Sequence, residues 1–132
     1  LVEADAAAFA PLAKAYGIPK DDPSRAAVMA QALDAAAAVP LEIMEACGEA
    51  IALLEEYEAK GSVLAVSDAG CGALFCRAAL EAAGLNVAVN TRLMADRAHA
   101  AELDARAGAL RAEYLPRAEA VYANVSKRLG GN

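Results

Sequence analysis

Aromatic side chains are scarce in this sequence, which has no tryptophan, two phenylalanines and four tyrosines among its 132 residues. A β-sandwich needs aromatic and β-branched residues in alternation, so the composition excludes an all-β fold. Alanine instead makes up about 29% of the chain, well above ordinary usage, and it is the best helix former. We therefore expect an all-α fold, an alanine-rich multi-helix bundle that forms one domain over residues 1–132.

The chain also lacks a positive charge excess and a long uncharged apolar run. Its net charge is −6, which disfavours binding of nucleic acid through phosphates. Every run of about 18 residues contains a charge, so we expect no membrane-spanning segment. The start, Leu1-Val2-Glu3, has no methionine and no signal-peptide character, and it falls inside a helical pattern, so we expect a missing beginning. Three cysteines, an odd number, favour free thiols and a cytoplasmic location.

Helix-breaking residues divide the chain into segments. Apolar spacing predicts helices over residues 2–16, 23–39, 41–60, 68–83 and 96–128, with a further segment from residue 85. Pro40 predicts a break or kink, Pro11 an interruption and Pro116 a bend, because proline removes a helical hydrogen bond. Gly84 predicts another interruption. The strand-like residues 62–66 are too short to found a sheet, so we interpret them as an extended linker.

The histidine and cysteine pattern predicts no metal site. His99 is the only histidine and has no thiol or carboxylate partners at zinc-ligand spacing, so we expect it at the surface. Cys71 and Cys76 lie on different helix faces and are interpreted as small buried apolar residues. Gly70-Cys71-Gly72 is not followed by lysine, which favours close helix contact over a phosphate-binding loop.

Asp5 lies early on the first helix, at the edge of an apolar stripe. Val2, Ala6 and Phe9 are expected to face inward on that stripe. Asp5 is then either an exposed first-turn carboxylate or a partly desolvated acid with a raised pKa, suited to proton transfer.

Four further polar residues each allow a structural and a functional interpretation. Ser67 and Asp68 match an N-cap and a first-turn acid, or they face a pocket for an anionic or polar ligand. Asn86 and Asn90 are four residues apart, so a helix presents both amides on one side. If buried, these amides need partners, which are either backbone groups or a heterocyclic ligand with matching donors and acceptors.

Several of these residues belong to a series that runs in order over nearly the whole chain: Asp5-Ala6-Ala7-Ala8-Phe9, Tyr16-Gly17-Ile18-Pro19-Lys20, Arg25, Ala38-Val39-Pro40-Leu41, Val66-Ser67-Asp68-Ala69-Gly70, Leu85-Asn86-Val87-Ala88-Val89-Asn90, Leu93 and Asp96-Arg97. The series resembles the cyclodeaminase family, which comprises the helical C-terminal domain of formiminotransferase-cyclodeaminase and stand-alone relatives such as methenyltetrahydrofolate cyclohydrolases. The chain departs from the family at the front, where a Pro-Gly-Gly-Gly-Ser-like segment and a small-residue helix are absent. By that resemblance the chain is either a fragment of a longer protein or a shortened member that has lost part of the folate site.

The resemblance implies an all-α enzyme that forms a homodimer or a higher homo-oligomer, and whose substrate is a tetrahydrofolate derivative, with no covalently bound cofactor. As a lyase it would cyclise 5-formimidoyltetrahydrofolate to 5,10-methenyltetrahydrofolate with release of ammonia. As a hydrolase it would interconvert methenyl- and 10-formyltetrahydrofolate, and the sequence leaves both open. A non-catalytic folate-binding module and a helical assembly module also stay open.

The resemblance further implies roles for individual residues. Asp5 would be the general acid that protonates the departing amine. The pterin or the bridging carbon would be held by Ser67 and Asp68 together with Asn86 or Asn90. The glutamate tail would be met by Lys20 or Arg25.

Overall fold

The structure, a computed structural model, describes residues 1–62 and 65–130, and all regular structure within these ranges is α-helical. The helices, in chain order, are α1 (Val2–Tyr16), α2 (Arg25–Lys60), α3 (Val66–Thr91) and α4 (Arg97–Arg128). The expected all-α fold is confirmed. The predicted linker over residues 62–66 lies partly outside the described residues, and its last residue, Val66, is already helical.

Helices α2, α3 and α4 pack together around the main core, while α1 packs against α2. Ten of the 22 buried apolar residues in the described part of the chain are alanines, so the helix axes can approach closely. The main core is completed by larger side chains, among them Leu41, Met44, Ile51, Leu80, Val87, Val121 and Val125. A second cluster joins α1 to α2 and to the start of α4, with Leu12, Leu33, Met94 and Ala100 among its members.

The Gly70-Cys71-Gly72 segment gives room for helix contact, as predicted. A Cβ atom on Gly70 would lie 2.9 Å from a methyl group of Val125 on α4. A Cβ atom on Gly72 would lie 2.9 Å from a methyl group of Leu54 on α2. Both distances are shorter than a carbon–carbon van der Waals contact, so Val125 or Leu54 would have to shift to admit a side chain at either position.

The break predicted at Pro40 is wrong, because α2 continues from Arg25 to Lys60 through a buried Pro40. Proline at this position lacks the N–H that would bond the carbonyl of Ala36, four residues earlier. That carbonyl instead accepts a hydrogen bond from the Asn90 side-chain amide on α3, with an N···O distance of 3.2 Å. A side chain of a neighbouring helix therefore replaces the missing backbone donor.

Pro11 and Pro116 also lie inside helices, so the interruption predicted at Pro11 is wrong as well. These prolines free the carbonyls of Ala7 and Ala112. Both alanines are exposed, so water can bond these carbonyls. The difference in burial explains why only Pro40 needs a partner from another helix.

Two further predictions about α3 are wrong. The helix does not stop at Gly84 but runs from Val66 to Thr91. Leu80, Ala83 and Val87 on either side of Gly84 are buried in the main core, and this tertiary packing outweighs a propensity cost of about 1 kcal/mol for glycine. Ser67 is not the N-cap, since Ala65 occupies that position and no side chain caps the helix. Asp68 does lie in the first turn, as expected.

Helix α3 is long and apolar enough to cross a membrane, judged by length and composition alone. Its most apolar 18-residue window has a mean hydropathy of 1.3, and 22% of that window is buried. The exposed remainder includes Leu74, Phe75, Leu85 and Val89. The other faces of α3 pack against α2 and α4.

Candidate functional site

A cleft separates α1 from α3, and α2 forms its floor. Helices α1 and α3 both pack against α2 but not against each other, which leaves a space of about 190 Å³ between them. The lining residues are Asp5, Phe9, Leu12 and Tyr16 of α1, Ala36 and Pro40 of α2, Asn86, Val89 and Asn90 of α3, and Leu93. The fold thus brings together three residues that the sequence singled out separately: Asp5, Asn86 and Asn90.

Asp5 lines the cleft from the first turns of α1 and is exposed. Its backbone N–H donates to the carbonyl of Leu1 at 2.9 Å. Val2, Ala6 and Phe9 were expected to face inward, and this is wrong, since all three are exposed, Val2 by 86% and Phe9 by 58%. The described part of the chain does not cover this face of α1. Of the two interpretations of Asp5, the structure therefore agrees with an exposed first-turn carboxylate rather than a partly desolvated acid.

The Asn90 side chain is held in one orientation by two backbone carbonyls. Its amide nitrogen donates to the carbonyl of Asn86 at 2.9 Å and to that of Ala36 at 3.2 Å. An amide nitrogen carries two hydrogens, so both are used, and the carbonyl oxygen Oδ1 is left as an acceptor. Asn86 donates to the carbonyl of Ala82 at 3.2 Å. Backbone groups therefore provide the partners that these amides need.

The rest of the cleft is apolar and partly aromatic. Phe9 and Tyr16 are two of only six aromatic residues in the chain, and both line it. Their exposed fractions are 58% and 50%. Exposed aromatic faces can pack against a flat ring, and the neighbouring carboxylate and amide oxygens can accept hydrogen bonds from its edge. This arrangement suits a planar heterocycle that carries N–H groups.

The remaining predicted site residues lie outside this cleft. The Arg25 guanidinium donates through Nε to the carbonyl of Ile18 at 2.9 Å, which ties down the turn between α1 and α2. Lys20 is exposed in the same turn. Ser67 and Asp68 lie at the other end of α3, about 28 Å from Asn86 along the helix axis at a rise of about 1.5 Å per residue. Their roles in binding stay predictions.

Ser67 lines a second, largely apolar pocket of about 390 Å³ between α3 and α4. Cys71 also lines this pocket and is exposed, so the prediction that it is buried is wrong. Gly70 takes the helix-facing position beside it, which turns Cys71 outward. Cys76 and Cys47 are half-buried, and burial raises the pKa of both thiols.

His99 is partly exposed, as expected, but it has a partner that the sequence did not reveal. Its Nε2 lies 2.7 Å from Oδ1 of Asp34 on α2, and its Nδ1 lies 3.7 Å from Oε2 of Glu102. The hydrogen bond with Asp34 raises the pKa of His99 above its ordinary value. Asp34 is 65 residues away in sequence, so no local motif could indicate this pair. Among residues 1–62 and 65–130, no group of three His, Cys, Asp or Glu side chains is arranged to hold a metal ion.

Comparison with known proteins agrees with the motif series. A family model described as formiminotransferase-cyclodeaminase matches residues 1–109. A methenyltetrahydrofolate cyclohydrolase of Methylorubrum extorquens is 36% identical over 98% of this chain and 64% of its own length. A formimidoyltransferase-cyclodeaminase of Sus scrofa is 32% identical over 97% of this chain and 24% of its own length. The chain thus spans under two thirds of either relative.

Proposed function

Because the chain belongs to the formiminotransferase-cyclodeaminase family, we propose that it is a one-carbon tetrahydrofolate enzyme with its site in the α1–α3 cleft. The observation that carries the proposal is the meeting of Asp5, Asn86 and Asn90 beside Phe9 and Tyr16. A carboxylate, two amides and two aromatic faces supply the contacts that a reduced pterin ring needs.

The pterin ring would occupy the cleft, and the rest of the folate would lie outside it. The space of about 190 Å³ is smaller than the range of roughly 300–1,000 Å³ typical of drug-sized ligands, so it suits a ring system alone. Phe9 and Tyr16 would pack against the ring. Lys20, which is exposed in the turn after α1, would meet the glutamate tail.

Ring closure mainly requires that N10 lie beside the carbon carried on N5, and positioning supplies much of such a rate. In the cyclodeaminase reaction a bond forms between N10 and this carbon, and the bond from the carbon to the amine breaks. N10 loses its proton as this bond forms, and Asp5 would take this proton and pass it to the departing amine, which leaves as ammonia. Its exposed place in the first turns of α1 lets the carboxyl reach a substrate that covers the cleft.

In the cyclohydrolase reaction the same carbon is attacked by water, and its bond to N5 breaks to give the 10-formyl product. The Methylorubrum relative, which shares 36% identity and carries the cyclohydrolase name, favours this second reaction. Asp5 would take one proton from the attacking water and deliver it to N5, and the second proton of the water would pass to solvent. One carboxyl in one place serves both reactions because each needs a proton on a departing nitrogen.

Two assays on the purified protein test the proposal. Loss of methenyltetrahydrofolate absorbance reports the cyclohydrolase reaction, and ammonia release from 5-formimidoyltetrahydrofolate reports the cyclodeaminase reaction. Turnover in either assay supports the proposal and identifies the reaction. Binding of folate without turnover in either would favour the non-catalytic folate-binding module, and absence of both would favour a helical assembly module.

The exposed face of α3 supports a homodimer. Its exposed residues recur at alternating spacings of four and three, as in a coiled-coil seam: Cys71, Phe75, Ala78, Ala82, Leu85 and Val89. Phe75, Leu85 and Val89 are 77%, 71% and 61% exposed. The small Ala78 and Ala82 at the centre would let a second α3 approach closely.

This seam is symmetric about the middle of α3, which fits an antiparallel pair related by a two-fold axis. Cys71 of one copy would then face Val89 of the other, and Phe75 would face Leu85. Such a pair places the Ser67–Asp68 end of the second copy beside Leu93, at the mouth of the first copy's cleft. The predicted contacts of Ser67 and Asp68 with the substrate would come from that copy.

A membrane is a weaker partner for this face. Arg77 and Glu81 lie near the middle of α3 and pair at 3.3 Å. A charge at the centre of a bilayer costs about 3 kcal/mol even on the mildest scale. Together with the negative net charge, this favours a cytoplasmic dimer that binds neither membrane nor nucleic acid.

Cysteine cross-linking tests the antiparallel pair. In the variant Val89→Cys, mild oxidation should give a covalent dimer through Cys71 of the second copy, and the additional change Cys71→Ser should abolish it. A covalent dimer of the unaltered protein through Cys71 alone would instead indicate parallel helices. For the dimer itself, Leu85→Glu should give a monomer by light scattering, while Leu53→Glu should not, because Leu53 is 68% exposed on α2.

A further inference from the structure

We propose that Pro40 acts as a positioning residue, which frees the Ala36 carbonyl to orient Asn90 so that Asn90 Oδ1 accepts an N–H of the bound heterocycle. The inference rests on the proposed folate site and assigns a direction to one of its hydrogen bonds. It makes Asn90 a specificity-determining residue. It also gives a function to a proline that helix propensity alone disfavours by about 3 kcal/mol.

The carbonyl of Ala36 has no hydrogen-bond donor within its own helix. In an uninterrupted helix this carbonyl would bond the N–H of residue 40, which proline does not have. Ala36 is only 8% exposed, and a buried carbonyl without a partner costs about 1–3 kcal/mol. The Asn90 amide nitrogen lies 3.2 Å away and supplies the donor. Pro40 thus creates the acceptor that Asn90 binds.

Two backbone carbonyls fix the orientation of the Asn90 amide. The second amide hydrogen bonds the carbonyl of Asn86 at 2.9 Å. Turning the amide over would place Oδ1 against two carbonyl oxygens, so the two acceptors together select one orientation. Neither carbonyl belongs to a flexible side chain, because both are main-chain groups within helices. The amide is therefore fixed before any ligand arrives.

The cleft offers hydrogen-bond acceptors to a ligand. With both hydrogens of its amide engaged, Asn90 can offer a ligand only its oxygen, and Asp5 on the opposite helix adds carboxyl oxygens. A reduced pterin presents N–H donors on its ring and its exocyclic amine. A site that offers a fixed acceptor rejects a ring that lacks the matching donor, since the acceptor is then left unpaired. The cleft accordingly selects the donor-bearing edge of the heterocycle.

Binding measurements with the stable ligand 5-formyltetrahydrofolate test the inference. Asn90→Leu should raise the dissociation constant about tenfold, the scale of one hydrogen bond, while the matched exposed change Asn124→Leu on α4 should not. Pro40→Ala should weaken binding several-fold and yet raise thermal stability, because it restores a helical hydrogen bond. Pro116→Ala, the matched proline of α4, should raise stability without changing affinity.

A double variant separates orientation from direct contact, since Pro40 itself lines the cleft. If Pro40 acts through Asn90, Pro40→Ala should cause no further loss in the Asn90→Leu background. Independent losses from the two changes would overturn the positioning role. The acceptor role of Asn90 Oδ1 is tested with pterins in which a methyl group replaces the hydrogen of one ring N–H at a time. One of these pterins should bind the unaltered protein more weakly than the unmethylated pterin does, and should bind Asn90→Leu as well as the unmethylated pterin does. If no pterin behaves in this way, Asn90 Oδ1 is not the acceptor. Failure of the unaltered protein to bind 5-formyltetrahydrofolate would instead contradict the folate proposal itself.

Discussion

Gly48 of α2 is a position where one added methyl group should cost stability. A Cβ atom built on Gly48 would lie 2.5 Å from the ring of Tyr114 on α4. That ring cannot turn aside freely, because the Arg117 guanidinium stacks on it at 4.9 Å. Arg117 is in turn held by two hydrogen bonds to Glu55, of 2.9 and 2.6 Å. We therefore expect Gly48→Ala to force α4 away from α2.

Two opposing terms set the size of this effect. Alanine is favoured over glycine inside a helix by about 1 kcal/mol. Overpacking of a well-packed contact costs about 1–3 kcal/mol, and a contact of 2.5 Å against a restrained ring belongs at the upper end of that range. The net expectation is a loss of roughly 1–2 kcal/mol in the free energy of unfolding.

Gly108 of α4 provides the matched control, because a Cβ atom there would meet nothing within 4 Å. Gly108→Ala should show the propensity gain alone, about 0.5–1 kcal/mol of added stability. Urea unfolding monitored by circular dichroism measures both variants. Equal stability of the two variants, or a more stable Gly48→Ala, would refute the close packing of α2 on α4.

Three further changes test local interactions by the same unfolding measurement. The hydrogen bond with Asp34 raises the pKa of His99. The pair therefore stabilises the fold fully when the pH is below the ordinary histidine pKa, and this stabilisation is lost as the pH rises through the raised pKa of His99. His99→Gln should accordingly cost more stability near pH 5.5 than near pH 9. Asp96→Ala removes the N-cap of α4, whose carboxylate accepts two backbone N–H bonds, and should cost about 1 kcal/mol. Arg25→Ala removes the hydrogen bond to the Ile18 carbonyl and should also cost about 1 kcal/mol. An unchanged unfolding midpoint in Asp96→Ala or in Arg25→Ala would contradict the role given to that residue.

The helical fold could be predicted because alanine content and apolar spacing are local properties. The divisions at Pro40 and Gly84 were wrong because long-range contacts outweighed local propensity. At Pro40 the deciding group is the amide of Asn90, 50 residues further along the chain. At Gly84 it is the burial of the neighbouring Leu80, Ala83 and Val87 in the main core. Sequence spacing gives no indication of such partners.

The candidate site was predictable in its residue types but not in its arrangement. The resemblance to the cyclodeaminase family indicated Asp5, Asn86 and Asn90, and the fold brings them to one cleft. It did not indicate that Asn90 is already bonded to α2, because that contact exists only once Pro40 has freed a carbonyl. Ser67 could not be placed either, since its distance from the cleft depends on α3 continuing past Gly84.

The ratio of kcat between Asp5→Asn and the unaltered protein decides whether Asp5 donates a proton to one-carbon tetrahydrofolates in the α1–α3 cleft. We expect a loss in kcat of about 100-fold or more, the scale for a general acid. Glu3→Gln is the matched control, since Glu3 is a first-turn carboxylate that does not line the cleft, and it should leave kcat unchanged. Near-normal turnover of Asp5→Asn, or an equal loss in both variants, would contradict the claim.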